Sequence, residues 1–421
     1  MVIRTRLRML ADYLAATRNE IAVDEMFLGL SRVSAEDVGH WPRVPYWFSL
    51  AKRHPYLTST ACRIAKIVWL GGGAAIFFLC EYLRFLHLRR SVRSVDLPST
   101  EGVILGFSTR VCDVVKPSQF PTFPYAWLTL PWAPQKELPN GAQELPVLSI
   151  LDALDFRYAF ENAITIAYRM RRNRHLSPWI LQGYTAFRWF LVRRATDRLT
   201  GKLVTTEHFD RWAVLADRSV REKRRVDNCN DRLVLVQHGA MGALNPEKNG
   251  DIPSINLPTR LNQVDELHVY NNDEAAIFKS AVLAGKKTTR VLDLHFFKPV
   301  IELAGERASS KINLLFVGHP LCESFQAEVF RQLTNKDVFE IFYKPHPKAP
   351  MSSAVTAVGW TLVADEKTFP RVDLLISYPS TLVVEYEGAG VPASIHPIDA
   401  GVDALSPFMD KTRSLIKKIN A

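Results

Sequence analysis

The sequence has little of what marks several protein classes. Its five cysteines, Cys62, Cys80, Cys112, Cys229 and Cys322, are odd in number and follow no regular spacing. That argues against a disulfide framework and a cysteine-based zinc site, and it fits a reducing cytoplasm. No uninterrupted apolar stretch with a small-residue cleavage site opens the chain. MVIRTRLRMLADYLAATRNEIAVDEMF carries charges throughout, so no secretory signal is expected. No Asp-x-Asp pair follows an expected strand, and neither a metal site nor a resident cofactor is expected. No aromatic-basic reading motif accompanies the net charge of +10, which sets nucleic acid last among its possible anionic partners. Nucleotide, lipid head group and anionic glycan remain. Disorder-prone bias is also missing: 47% of residues are hydrophobic and 23% charged, as in folded proteins. A chain of 421 residues is long for one core and predicts two domains.

What the sequence does have begins with RIAKIVWLGGGAAIFFLCEYLRFLHLRR, residues 63–90. From Ile67 to Cys80 every residue is apolar or glycine, until Glu81 and Arg84 interrupt. A spanning helix needs roughly 20 apolar residues, and three consecutive glycines weaken a helix. Lys52, Arg53, Arg63 and Lys66 precede the run, and Arg84, Arg89, Arg90 and Arg93 follow or overlap its end. Cations beside an apolar wedge suit an anionic inner leaflet. Residues 1–96 are therefore expected to form a helical, membrane-associating region, peripheral on the inner face of the cytoplasmic membrane. A true span and a plain core element are the alternatives. A second basic region, residues 169–225, holds RMRRNRH, RWFLVRR and REKRR. It reads either as the solvated side of helices or as a surface that collects an acidic acceptor.

Beyond Leu97 the pattern becomes short Val/Ile/Leu-rich runs, each followed by a polar loop: GVILGF, KLVTT, RLVLVQ, ELHVY, INLLFVG, FEIFYK and DLLIS. Such runs predict buried parallel strands with helices between them, for example DEAAIFKSAVLAG, closed by Gly285. The fold class is α/β, with doubly wound domains at 97–295 and 311–402, a linker at 296–310 and a C-terminal helix at 403–421.

In open α/β sheets, ligands bind outside the carboxyl ends of the strands. Four clusters follow such ends. YKPHP places Lys344 and His346 in a loop stiffened by prolines. SYPSTLVVEYEGAGVP places Ser377, Ser380 and Thr381 at a helix start, where free N–H groups favour phosphate, with Glu385 one turn on for a ribose hydroxyl. LVLVQHGAMG places Gln237, His238 and Gly239 after a strand. VTTEHFDRW adds Glu207, His208, Asp210 and Arg211, where a carboxylate could take a proton from an acceptor hydroxyl. His319-Pro320 and His396-Pro397 are further His-Pro pairs. His319 is a candidate lining residue, and His396 reads as a loop feature.

QHGA, KPHP and SYPSTLVVEYEGAGVP together resemble the GT-B glycosyltransferases of bacterial surface polysaccharide assembly, those building capsule or lipopolysaccharide. The likeness covers roughly residues 200–400. It is similar to the sialyl- and Kdo-transferases, whose His-Pro pair and Ser/Thr pair hold cytidine monophosphate, and to teichoic-acid polymerases using CDP-glycerol. The paired-acid-Gly motif of several sialyltransferases and the tryptophan-bearing His-Gly motif of the polymerases do not appear. The resemblance implies two Rossmann-like domains facing a cleft, acceptor-side first and donor-binding second. It implies metal-independent transfer of a sugar from a nucleotide donor, favoured as CMP-linked Kdo or sialic acid, to a surface polysaccharide or lipid-linked glycan. Lys344, His346, Ser377, Ser380, Thr381, Glu385 and His319 would bind the donor. Asp210, Glu207 and His238 would be catalytic, and Gln237, Gly239 and Arg211 would lie on the acceptor side. A CDP-glycerol-type polyol-phosphate transferase, a sugar-nucleotide epimerase and a non-enzymatic scaffold with polysaccharide-assembly partners are the other readings.

Overall fold

The computed structural model describes residues 2–31, 33–95, 97, 100–108, 110–115, 125–133, 137–226, 230–241, 256–285, 291–299, 301–304, 311–333, 338–346, 351–365 and 368–420. Cys229, Pro347 and parts of the expected linker lie outside them. The chain divides into two compact units. One comprises Met1–Met26, Ser34–His238 and Ile255–Phe297, and the other Phe27–Val33, Gly239–Ser254 and Lys298–Ala421.

The first unit is built on a seven-stranded sheet: β1 (Gly102–Leu105), β2 (Tyr125–Thr129), β3 (Gln143–Pro146), β4 (Lys202–Thr205), β5 (Arg232–Val236), β6 (Val264–Val269) and β7 (Asp293–Phe296). Its order is β3-β2-β1-β4-β5-β6-β7, and every pairing is parallel. The direction of winding reverses between β1 and β4, which makes their carboxyl ends the topological switch point. The central strands are apolar throughout, as burial on both faces requires: Val103, Ile104, Leu203, Leu233, Leu235 and Leu267 are buried.

The second unit repeats the plan with five strands: β8 (Ile312–Val317), β9 (Phe339–Lys344), β10 (Thr361–Leu362), β11 (Leu374–Ser377) and β12 (Ala393–Ile395). The order is β10-β9-β8-β11-β12, again wholly parallel, with the reversal between β8 and β11. Leu314, Phe316, Ile341, Leu374 and Ile376 form one core face with the helices Glu323–Gln332 and Leu405–Asn420. Leu315, Val317, Leu375, Val383 and Tyr386 form the other. Helices therefore cover both faces, and the expected α/β class with two doubly wound sheets is the observed one.

The N-terminal helices pack into the first unit. In Val2–Ser31, Tyr13 is fully buried and shares a 3.0 Å hydrogen bond with Thr185, and Asn19 Nδ2 donates to the Phe209 and Thr259 carbonyls. Residues Pro55–Ser91 make one helical stretch long and apolar enough to cross a membrane. It does not run straight. A π-helical segment, Trp69–Gly73, carries Gly72 at φ 119°, a conformation that suits glycine. Only 17% of its most apolar window is buried. Tyr56, Leu57, Ile64, Ile67, Val68, Ile76 and Leu83 are exposed, whereas Glu81 turns inward to a two-bond pair with Arg188 at 2.5 and 2.9 Å.

The basic region of residues 169–225 is in large part internal wiring. Arg193 meets Asp197 and Asp12, Arg194 meets Asp155, Lys223 meets Asp231 and Arg224 meets Asp265. The helix expected to close at Gly285 ends sooner: Asn272–Ile277 passes into a π-helical turn, Phe278–Val282, capped by Leu283 in extended backbone.

Candidate functional site

In the first unit, β4 ends at Thr205, and the chain runs through Thr206, Glu207 and His208 to the start of the helix Arg211–Val226. Asp210 begins that helix, its Oδ1 accepting the N–H groups of Trp212 and Ala213, each at 2.9 Å. The carboxyl is thereby anchored at a helix N-terminus. Burial, then the neighbouring Glu207 and Glu20, push the Asp210 pKa well above the ordinary carboxylate range, and a hydrogen bond joins it to Glu207. Glu207 is 7% exposed, and its Oε1 has no hydrogen-bond partner. A buried carboxylate oxygen left without a protein donor has hydrogen-bonding capacity to offer.

The next strand end meets this one. His208 and His238 lie with ring centroids 4.1 Å apart, and the His238 N–H donates to His208 Nε2 at 3.0 Å. His208 therefore carries its neutral-state proton on Nδ1. His238 Nδ1 in turn bonds the Thr206 carbonyl, which in the neutral ring fixes the proton on Nδ1 and makes Nε2 the acceptor. The imidazoles that follow β4 and β5 thus meet, and Glu207 and Asp210 flank His208 along the chain.

Two residues read from the same motifs go elsewhere. Gln237 is fully buried, its amide donating to Glu274 Oε2 at 2.8 Å and accepting from the Tyr270 N–H at 3.0 Å. It locks β5 to the helix after β6. Arg211 is 4% exposed and paired with Glu20 Oε1 at 3.1 Å, with further bonds to Thr185 and Gln182. Its guanidinium ties the first helix to the sheet, because a buried cation needs that pairing. Both residues, expected on the acceptor side, are thus held in buried structural pairings.

In the second unit, three strand ends converge. His319 follows β8, His346 follows β9 and Tyr378 follows β11. The His319 ring lies 5.3 Å from His346 at 84° and 5.1 Å from Tyr378. Burial, and then His346, hold the His319 pKa down to about 3. Its Nδ1 accepts the Leu321 N–H at 3.3 Å, which puts the neutral ring's proton on Nε2 as a donor. Beside it, Ser377 Oγ donates to the Tyr378 carbonyl at 2.6 Å and lies 3.0 Å from Ser380 Oγ. Ser380 is the N-cap of the helix Thr381–Gly388, and its side chain makes no capping bond. Thr381 Oγ1 accepts the Ala240 N–H at 3.0 Å, and an added Gly239 Cβ would lie 3.6 Å from it. The last two residues of QHGA, which belong to this unit, thus meet the hydroxyl pair. Glu385 stands one turn along, half-buried.

Lys344 does not join them. Its ammonium donates to the carbonyls of Asp365 and Thr368, each at 2.9 Å, and lies 4.5 Å over the Phe369 ring. At 7% exposure it braces a loop, so the expected phosphate cation is spent on the fold. His319, which short-range reading ranked below it, is the residue whose ring meets His346. The missed signal was topological, since β8 is a switch-point strand and β9 is not. His396 lies in the loop after β12, as expected, but it is packed into the core: it is 1% exposed and bonded to Gln326 and the Pro397 carbonyl, with burial lowering its pKa to about 4.

Fold and site define a protein of two parallel, doubly wound α/β units, each with a polar cluster at its switch point. No family model and no curated protein matches the chain. Among solved structures it is similar to MurG of Acinetobacter baumannii, at 13% identity and TM-score 0.32 over 75% of this chain and 83% of that one. It is also similar to the glycosylation-associated Gap123 complex of Streptococcus agalactiae, at 11% identity and TM-score 0.26, over 56% of this chain and 54% of that one. Overlaps this loose carry no argument about the chain, and the function is read from the site.

Proposed function

We propose that the protein is a glycosyltransferase that moves a sugar from a nucleotide donor to a glycan acceptor at a membrane surface. The donor is proposed as CMP-linked and acidic, of the Kdo or sialic acid class, and the acceptor as a surface polysaccharide or lipid-linked glycan. The observation that carries the reading is the second unit's packing of His319 against His346 and Tyr378, two residues before Ser380, the N-cap of the helix Thr381–Gly388. Neutral imidazole N–H, hydroxyl and helix N–H groups stabilise a phosphate leaving group as charge develops on it. In the first unit Glu207 or Asp210 serves as base toward the acceptor hydroxyl, and His238 Nε2 accepts a hydrogen bond from it.

Two features support the membrane side. The exposed apolar face of Pro55–Ser91 is the first. The second is an apolar cavity of about 610 Å³ in the same unit, lined by Trp41, Tyr46, Trp47, Trp69 and Tyr184 with Arg43, which suits a lipid tail under an anionic head.

The test is thermal shift with CMP, CDP-glycerol, UDP and UDP-sugars. A ligand at a hundred times its Kd adds about 2.7 kcal/mol of stability. CMP is expected to raise Tm most, and His346→Ala and Ser380→Ala to abolish the shift. A shift with CDP-glycerol alone would favour polyol-phosphate transfer. No shift with any nucleotide, or one that survives both substitutions, rejects the donor site.

A further inference from the structure

One cluster lies outside both strand-end sites. On β6, Glu266 and His268 are two residues apart and so project from the same face of the sheet. On β7, in register, Asp293 pairs with Glu266 and His295 with His268. The two imidazoles stack with centroids 4.5 Å apart at 16°. One ligand atom each from Glu266, His268 and His295 lies within 4.8 Å of the other two. A tetrahedral ion with bonds of about 2.0–2.1 Å sets its ligand atoms about 3.4 Å apart, so small side-chain rotations close the set.

We propose that Glu266, His268 and His295 form a site for a divalent transition-metal ion of the zinc class. The two oxygens of Glu266 divide the work. Oε1 takes Lys202 at 3.2 Å and Arg232 at 3.0 Å, while Oε2 faces His268 Nε2 at 4.0 Å. Arg232 also pairs with Asp293 at 3.0 Å. Two cations against two carboxylates leave the surroundings of the histidine pair near electrical neutrality, so an arriving dication meets no net repulsion. The cations orient the ligating carboxylate, as outer-shell partners do. The cluster opens into a cavity of about 650 Å³ on the sheet face, bordered also by Tyr125 and Phe297, with room for a fourth ligand. Two histidines and one carboxylate with an open position are a zinc or non-haem iron donor set.

The experiment titrates untagged, EDTA-stripped full-length protein with Zn²⁺ by calorimetry and with Co²⁺ by visible absorption. One equivalent is expected to bind, and cobalt to give the intense bands of a tetrahedral site. His295 is exposed, so His295→Ala keeps the fold, which circular dichroism verifies. Affinity is expected to fall more than about tenfold in that variant, since losing even an outer-shell partner costs about 10–100-fold. His175→Ala, at another exposed histidine, is expected to bind as wild type. Absence of binding, an unchanged His295→Ala protein, or an equal loss in His175→Ala overturns the site.

Discussion

At the switch point of the first sheet, burial raises the Asp210 pKa well above the ordinary carboxylate range; at that of the second, burial lowers the His319 pKa to about 3. The same topological position thus holds acids in one unit and neutral imidazoles with hydroxyls in the other. A carboxylate of raised pKa suits accepting a proton from a hydroxyl, and the imidazoles and hydroxyls suit donating hydrogen bonds to an anion. In both units the adjacent long cation, Arg211 or Lys344, turns inward and serves the fold. A strand-end residue with a long charged side chain can reach back to buried carbonyls or carboxylates, whereas a short or rigid one stays where its backbone puts it.

The largest expected effect breaks the acidic half. Asp210→Asn preserves the helix cap, because asparagine caps as well as aspartate, but removes the shared proton with Glu207. Transfer activity should fall by about 10²–10⁴-fold, the usual contribution of general acid–base catalysis, with Tm near that of wild type. Steady-state rates and a melting curve check both halves. Full activity with an intact fold would remove Asp210 from the chemistry.

Next comes the response to pH, which should pull the units apart. Asp24 accepts from Gln182 at 2.7 Å and Val44 at 3.1 Å, yet burial and then Glu20 raise its pKa from 3.8 to about 7. A group with a raised folded pKa stabilises fully below its unfolded pKa and loses that stability as pH rises through the folded one. The first unit should therefore weaken between about pH 4 and 7, by on the order of 4 kcal/mol. His319 and His396 have depressed folded pKa values, about 3 and about 4 against 6.5. Their contribution is present above about pH 6.5 and is lost as pH falls toward those values. Hydrogen exchange at pH 5 and 7 should show protection falling with pH around Asp24 and rising around His319 and His396. Asp24→Asn should flatten the slope of the first unit only, and equal slopes in both units would refute the contrast.

How much of this the sequence disclosed depends on the range of the forces involved. GVIL, RLVLV, INLLFV and LLIS declare themselves as buried strands through local composition, and the winding follows from their alternation with helices. Strands β3 and β10 carry no such signal, since Gln143, Glu144, Thr361 and Leu362 are exposed and only their neighbours define them. His238, His346 and Ser380 were legible because each directly follows a strand. The inward turn of Arg211 depends on Glu20, some 190 residues away, and no local motif announces it. The metal-ligand set was half legible: Glu-x-His in ELHVY and Asp-x-His in DLHFF share the two-residue period of a strand face. Only the parallel pairing of β6 with β7 brings those halves together.

A smaller effect should separate the two glycines near the second unit's site. An alanine Cβ at Gly318 would sit 2.1 Å from the Tyr343 hydroxyl, and Tyr343 is fully buried and stacked 4.3 Å from Trp360. With no room to yield, Gly318→Ala should cost about 1–3 kcal/mol by overpacking. At Gly239 the nearest atom to such a Cβ is Thr381 Oγ1 at 3.6 Å, an ordinary contact, and Gly239→Ala should unfold at nearly the wild-type urea midpoint. Equal losses would mean the hydroxyl pair is packed as tightly as the tyrosine, leaving no space for a phosphate.

The smallest effect isolates the bond between QHGA and the hydroxyl pair. Thr381→Val keeps the shape of the side chain and deletes the acceptor of the Ala240 N–H. A neutral hydrogen bond contributes about 1 kcal/mol net, so stability should fall by about that much or less, because Ala240 is half-buried and water can replace the lost acceptor. Nucleotide binding should suffer more than stability does, because the same hydroxyl is proposed to face the phosphate. The informative quantity is thus the ratio of the two losses, read as urea midpoint against Kd for CMP. If stability drops while nucleotide affinity holds, Thr381 is a structural tether, and the anion-binding role in the second unit rests on Ser380, His319 and His346 alone.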